Sequence, residues 1–429
     1  MRPSITSSLE LRLFALGLLA IGVAACDGET PADAGAPDAA AADAGRNDAG
    51  AVDGGSVDAG SVDAGSVDSG TGDAGPLPTP VIGPRAVEPT PLSEGTMFVS
   101  PDGDGELCTE AAPCSLQYAT QQAGGDDVVF MRGGVYAIVS NLSFRGRGPG
   151  APVFESYGDE NAILEGTGSA DDEYYVRVLG DPVVLRRFEV RNMPRAALNV
   201  RSSGHLLEGL HVHHNLLSGI HIHESYETPL SNDNVIRDCI VHDNSGVGLT
   251  TPTFADGGNS DGISISSGLR NRVEHCLVYN NSDDGVDTWR SQDGYVGFTR
   301  TYGNGLGSGN GQGFKAGGAP PSRGTTVEHC IAHDNLAAGF DQNSGLMVRF
   351  ERNTAWRNSR GYYSGADTLV ANCISAEDET AFGGAGTETD NSWQRSGELT
   401  FVSTEPDSVD FLRPTADSGF ADLGAYSGL

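Results

Sequence analysis

Basic residues are scarce and nowhere gathered: 26 Lys and Arg face 58 Asp and Glu among 429 residues, a formal charge of −32. The lack of any stretch that concentrates cations argues against binding to nucleic-acid phosphates. Large apolar side chains are nearly missing between Cys26 and residue 92, where aspartate recurs at every fifth position from Asp33 to Asp73, as in "SVDAGSVDAGSVDSG". Such a segment cannot build a core. Residues 26–92 therefore read as a solvated tether, on the order of 45 Å in mean span, and part of the net charge belongs to it. The repeat also lacks the glycine turn and bidentate Glu of a calcium loop.

The apolar run "LFALGLLAIGVAA" is short for a bilayer span and has the length of a signal-peptide core. It ends in Val23-Ala24-Ala25-Cys26, which resembles a bacterial lipobox. Residues 1–25 are expected to be a lipoprotein signal, with Cys26 lipidated and the lipid the sole membrane contact; an ordinary secretory signal cleaved near Ala25 is the alternative. In an exported chain, Cys108 and Cys114, which bracket a short loop, are expected to form a disulfide.

From residue 93 the chain reads as one folded domain to residue 429. "SLQYATQQA" suits a short helix capping a sheet edge. From residue 205 a pattern recurs: "NVIRDCIVHDNSG", "NRVEHCLVYNNSDDG", "TTVEHCIAHDNLAAG", "MVRFERNTAWRNSRG". Each unit has a short alternating run, an asparagine, a glycine and a second alternating run, at a period of roughly 23 to 37 residues. Units this short cannot bury a face alone. Stacked as coils of a right-handed parallel β-helix, an all-β solenoid, they share one core with rungs about 4.8 Å apart. A β-propeller would need longer, more even units. Asn215, Asn244, Asn281, Asn304, Asn335 and Asn358 become a ladder at one corner, where asparagine tolerates left-handed backbone. Cys239, Cys276, Cys330 and Cys373 share one repeat position, assigned to the interior as free thiols.

Aligning the second-strand glycines of "SDGISIS", "DDGVDTW", "GQGFKAG", "AAGFDQN" and "SRGYYSG" separates the two faces. Ile263, Val286, Phe314 and Phe340 point inward; Ser264, Asp287, Lys315, Asp341 and Tyr363 form an outward column. Lys315 then lies one rung beyond Asp287, and Asp261 stacks against Asp284 with Asp283 beside it. Carboxylates that close repel by several kcal/mol unless a cation joins them. Calcium, with its six to eight oxygen ligands, is the expected cofactor. A cation beside an amine suits proton abstraction next to a uronate carboxylate followed by β-elimination. It needs no paired acid and base of the hydrolytic kind.

At these residues the sequence resembles family 9 polysaccharide lyases, the β-helix pectate lyases, through "NSDGISISSGLRNRVEHCLVYNNSDDGVDTW" and "GNGQGFKAGG" and more loosely over about residues 96 to 429. The resemblance implies Asp261, Asp283, Asp284 and Asp287 as calcium ligands, Lys315 as base and an acidic polysaccharide, polygalacturonate, as substrate of a monomeric enzyme acting outside the cell. A lyase or epimerase for another uronan such as alginate, or a non-catalytic carbohydrate-binding β-helix, are the alternatives. Trp289 is a candidate for stacking on a sugar, Arg290 for pairing with a uronate, and Asp341 for facing substrate. His211, His213, His214, His221 and His223 are read as decoration of alternating strand positions rather than a zinc site.

Overall fold

The computed structural model describes residues 81–223, 231–249 and 255–429; the apolar leader, Cys26 and the aspartate repeat lie outside the described residues. Strands of two to five residues stack into three all-parallel sheets, one of twelve strands and two of ten, so that each coil gives one strand to each sheet. One coil runs through Arg272–Glu274, Leu277–Tyr279 and Val286–Asp287 before Tyr295 pairs with Arg272 and starts the next. The sheet holding Val286–Asp287, called the site sheet below, also holds Ile220–Ile222, Ile263–Ile265, Phe314–Lys315, Ala338–Asp341 and Arg360–Ser364.

Because side chains alternate across a strand, every coil sends one set inward. Ile220, Ile263, Val286, Phe314, Phe340 and Tyr362 form one such column, each at most 1% exposed. Its rings stack, Phe314 on Phe340 at 5.0 Å and Phe340 on Tyr362 at 4.9 Å. Cys239, Cys276, Cys330 and Cys373 are buried free thiols in the core. Before each stands a residue with left-handed backbone, Asp238, His275, His329 or Asn372, at φ of 52–56°. That single residue turns the chain between adjacent sheets.

The asparagine ladder forms, but not for the conformational reason read from the sequence. Left-handed backbone falls on the residue before each rung, His214, Asp243, Asn280, Gly303, Asp334 and Arg357. The asparagine itself is thereby turned into the interior, where the six are at most 4% exposed. Each side-chain amide donates to the Oδ1 of the next at 2.7–3.0 Å, from Asn215 to Asn358. Each of those Oδ1 atoms also accepts the backbone N–H of the preceding asparagine, so a buried amide column stays satisfied.

The ladder ends on Asp378, whose Oδ1 accepts from Asn358 Nδ2 at 2.9 Å and from Asn358 N at 2.7 Å. Burial pushes this carboxyl up to about 6 from 3.8, against the hydrogen bonds that favour its charge. The native state then holds a proton that the unfolded chain releases between about pH 4 and 6, so stability falls as pH rises through that window, by about 3 kcal/mol. Asp378→Asn is expected to remove this slope: melting curves should match wild type at pH 4 and lie several degrees above it at pH 7.

At the N-terminal end, helix Leu116–Gln122 lies against strands Met97–Val99 and Leu142–Gly146, which are outermost in their sheets. Ser115 Oγ caps it by accepting Tyr118 N–H at 3.1 Å. Cys108 and Cys114 are joined in a disulfide. Residues 81–92, grouped with the tether by composition, instead run back along the coils. Gly83 N–H donates to Phe298 O, Arg85 pairs with Asp238, and Thr90 hydrogen-bonds Glu155. Polar bonds to buried acids hold this strap, which is why no hydrophobic pattern announced it.

Candidate active site

Ser264, Asp287, Lys315, Asp341 and Tyr363 are successive partners in the register of the site sheet. One rung separates each from the next, about 4.8 Å. Just before the strands a second column runs parallel: Asp284 N–H donates to Asp261 Oδ1 at 3.2 Å, and Gln312 N–H donates to Asp284 Oδ1 at 2.8 Å. The two columns bring Lys315 Nζ to 3.1 Å from both Asp284 Oδ2 and Asp287 Oδ2. Oxygens of Asp261, Asp284 and Asp287 all lie within 4.8 Å of one another.

Asp283, the fourth predicted acid, stands at the rim. Its Oδ2 accepts Asn259 N–H at 2.7 Å and its Oδ1 accepts Asn310 N–H at 2.5 Å. The same carboxylate that borders the cluster therefore anchors two loops. Ser308 N–H joins those loops by donating to Asp256 O at 2.8 Å. A Cβ on Gly309 would come within 1.7 Å of Ser282 O, so only glycine lets the loop cross there.

The electrostatics are unbalanced. Three clustered carboxylates, with Asp283 near, face a single amine, and all five side chains are mostly buried. Each like-charge pair at such spacing costs about 4 kcal/mol at an effective dielectric near 20. Burial, then repulsion from the neighbouring carboxylates, holds the Asp261 carboxyl well above its usual range. Burial does the same at Asp284, where Lys315 pulls in the opposite direction. At Lys315 burial acts to lower the pKa, and Asp284 and Asp287 foremost outweigh it, holding the amine above its ordinary range. Buried Asp284 Oδ2 faces only the Lys315 amine, at 3.1 Å across the ion pair. An all-oxygen set carrying excess negative charge fits a hard divalent cation of the calcium kind.

Two features of the site went unread in the sequence. Gln312 links the columns, its backbone N–H bonded to Asp284 and its Nε2 3.5 Å from Asp341 Oδ2. Lys315 is the only lysine of the chain; every other cationic residue is arginine. Composition carried that signal, since arginine cannot be deprotonated at workable pH and lysine can.

Trp289 and Arg290 occupy the turn after strand Val286–Asp287. The indole rests on the backbone of Gly318, where a Cβ would come within 1.9 Å of Trp289 Cδ1, and the Arg290 guanidinium lies 5.5 Å from the ring centroid. Asp341 Oδ1 accepts Asn343 N–H at 2.6 Å, and burial raises its pKa. The histidines divide. His221 belongs to the site sheet, pairs with Ser264 and lies 2.9 Å from Ser266 Oγ, its pKa pushed down to about 3 by burial. His223 follows it. His211 and His213 stand on a different sheet, with His214 just after.

Comparison with known proteins supplies a family. The family model described as "Pel9A-like, right handed beta helix region" matches residues 97–377. Pectate lyase L of Paenibacillus polymyxa is 24% identical over 346 residues, 73% of this chain and 76% of that protein. Pectate lyase PEL9 of Emericella nidulans is 27% identical over 366 residues, 72% and 86% of the two chains. Among solved structures, that of pectate lyase Pel9A superposes with a TM-score of 0.63 at 22% identity, covering 77% of this chain and 96% of its own.

Proposed function

Because the chain belongs to the Pel9A-like right-handed β-helix family, we propose that it is a calcium-dependent lyase cleaving polygalacturonate by β-elimination. The carrying observation is the Lys315 amine 3.1 Å from two carboxylates of a buried acidic cluster. Asp261, Asp284 and Asp287 would hold the ion, with Asp283 beside them. When bound, calcium neutralises the substrate carboxylate and the charge that develops beside it.

Lys315 Nζ removes the proton from the carbon next to the uronate carboxylate. The freed electron pair forms the ring double bond, and the adjacent carbon–oxygen glycosidic bond breaks. The leaving oxygen takes a proton from water. Lys315 must be neutral to begin, and Asp284 and Asp287, while they face it, keep it charged. That hold raises the pH at which the amine becomes neutral, so the rate rises with pH into the alkaline range; a bound cation would ease it.

Trp289 offers an apolar ring edge to a sugar, Arg290 a partner for a neighbouring uronate, and Asp341 an acceptor for a sugar hydroxyl beside Lys315. The enzyme works as a monomer outside the cell, attached by lipid at Cys26, with the aspartate repeat as its tether. Incubation with polygalacturonate is expected to produce ultraviolet absorbance of unsaturated uronides together with new reducing ends. New reducing ends without that absorbance would mean hydrolysis and defeat the proposal; absorbance from another uronan alone would reassign the substrate.

A further inference from the structure

A second cluster lies on the ten-stranded sheet that runs from Gly134–Ala137 to Ile374–Ala376. Strand His211–His213 buries Val212 and leaves both histidines on the outer face. Register sets Glu189 beside His211 on the preceding coil and His242 beside His213 on the following one. Period-two alternation on three stacked strands thus delivers three imidazoles and a carboxylate to one patch. Close pairs link them: His213 Nε2 is 3.2 Å from Glu189 Oε1, and His211 Nε2 is 2.7 Å from His242 Nε2, while His242 also stands beside His214 and Asp243. Glu189, His211 and His213 each offer an atom within 4.8 Å of the other two. Burial foremost, then neighbouring imidazoles, lower the pKa of His211 and His213.

We propose that Glu189, His211, His213 and His242 form a second metal site, for a divalent transition metal of the zinc class. Imidazole-rich sets select such ions, while the all-oxygen cluster around Asp284 suits calcium. Outer partners orient the ligands as metal sites require. Asn161 Nδ2 donates to Glu189 Oε2 at 3.0 Å, and Asp243 Oδ2 lies 2.6 Å from His242 Nδ1, turning Nε2 toward His211. Arg191 also donates to Glu189 Oε1 at 2.8 Å, yet its other nitrogens are held by Glu165, so metal binding displaces one bond of that guanidinium. The ion clips three successive coils together.

The test uses the full chain without a histidine tag, stripped of metal and then saturated with calcium. Zinc chloride titrated by calorimetry is expected to bind with one equivalent, and cobalt chloride to give a visible ligand-field band. His211→Ala and His213→Ala should each weaken zinc roughly 10- to 100-fold and bleach the cobalt band, with melting in calcium preserved. Asp287→Asn should leave zinc affinity and band unchanged. Absence of stoichiometric zinc binding to the wild type, or wild-type zinc affinity in both histidine variants, would overturn the proposal.

Discussion

Lys315→Ala should cut the elimination rate by about 10³-fold or more, the size expected when a positioned base is lost, equal to about 4 kcal/mol of barrier. The more telling variant is Lys315→Arg. It keeps the positive charge that faces Asp284 and Asp287 at 3.1 Å, so an ion-pair role would survive, whereas proton abstraction would not. Both variants are expected to be equally inactive, and both to melt near the wild type in excess calcium. Single-turnover absorbance measurements decide it. Arginine activity within tenfold of wild type would remove Lys315 as the base.

Calcium withdrawal should have a comparable effect. A chelator is expected to take the rate below about 1% of its starting value, with calcium restoring it and magnesium failing, since magnesium demands tight octahedral geometry and keeps its water. Asp284→Asn and Asp287→Asn preserve shape but remove one charge each from the cluster. Each should raise the calcium concentration needed for half-maximal rate by at least about 100-fold, on the logic that ligand charge count sets affinity. Stability separates a catalytic ion from a merely structural one. Asp284→Asn relieves repulsion among Asp261, Asp283 and Asp287, so without calcium it should melt no lower than wild type even though it is inactive. A chelator that lowers the melting temperature while leaving cleavage untouched would refute the metal's part in the reaction.

Much of this arrangement was legible because a solenoid makes sequence register and spatial register the same thing. Aligning glycines was enough to put Asp287, Lys315 and Asp341 on one outward line, since a one-residue slip would have turned all three into the apolar core. The cysteine column was readable for the same reason. What escaped were contacts not fixed by the repeat. Asp283 gives both oxygens to backbone N–H groups of Asn259 and Asn310, in loops of irregular length. His242 joins His211 although the two lie 31 positions apart, on separate coils, so a local histidine motif could not include it. Residues 81–92 read as tether because their anchors, Glu155 and Asp238, are buried acids with no periodicity.

The amide ladder also bears on how the protein ages. Deamidation of an Asn-Gly pair requires the glycine nitrogen to attack the asparagine side chain through a five-membered ring. At Asn304-Gly305 that nitrogen donates to Asn281 O at 2.9 Å, and the side chain is locked to Asn281 and Asn335, so the ring cannot close while the coil is intact. Asn310, six residues on, is exposed in the loop bonded to Asp283, while Gly311 behind it is buried. Of the two side-chain amides, the one beside the acidic cluster is outside the locked column, so any loss of ammonia there would fall on the loop that Asp283 anchors and not on the core.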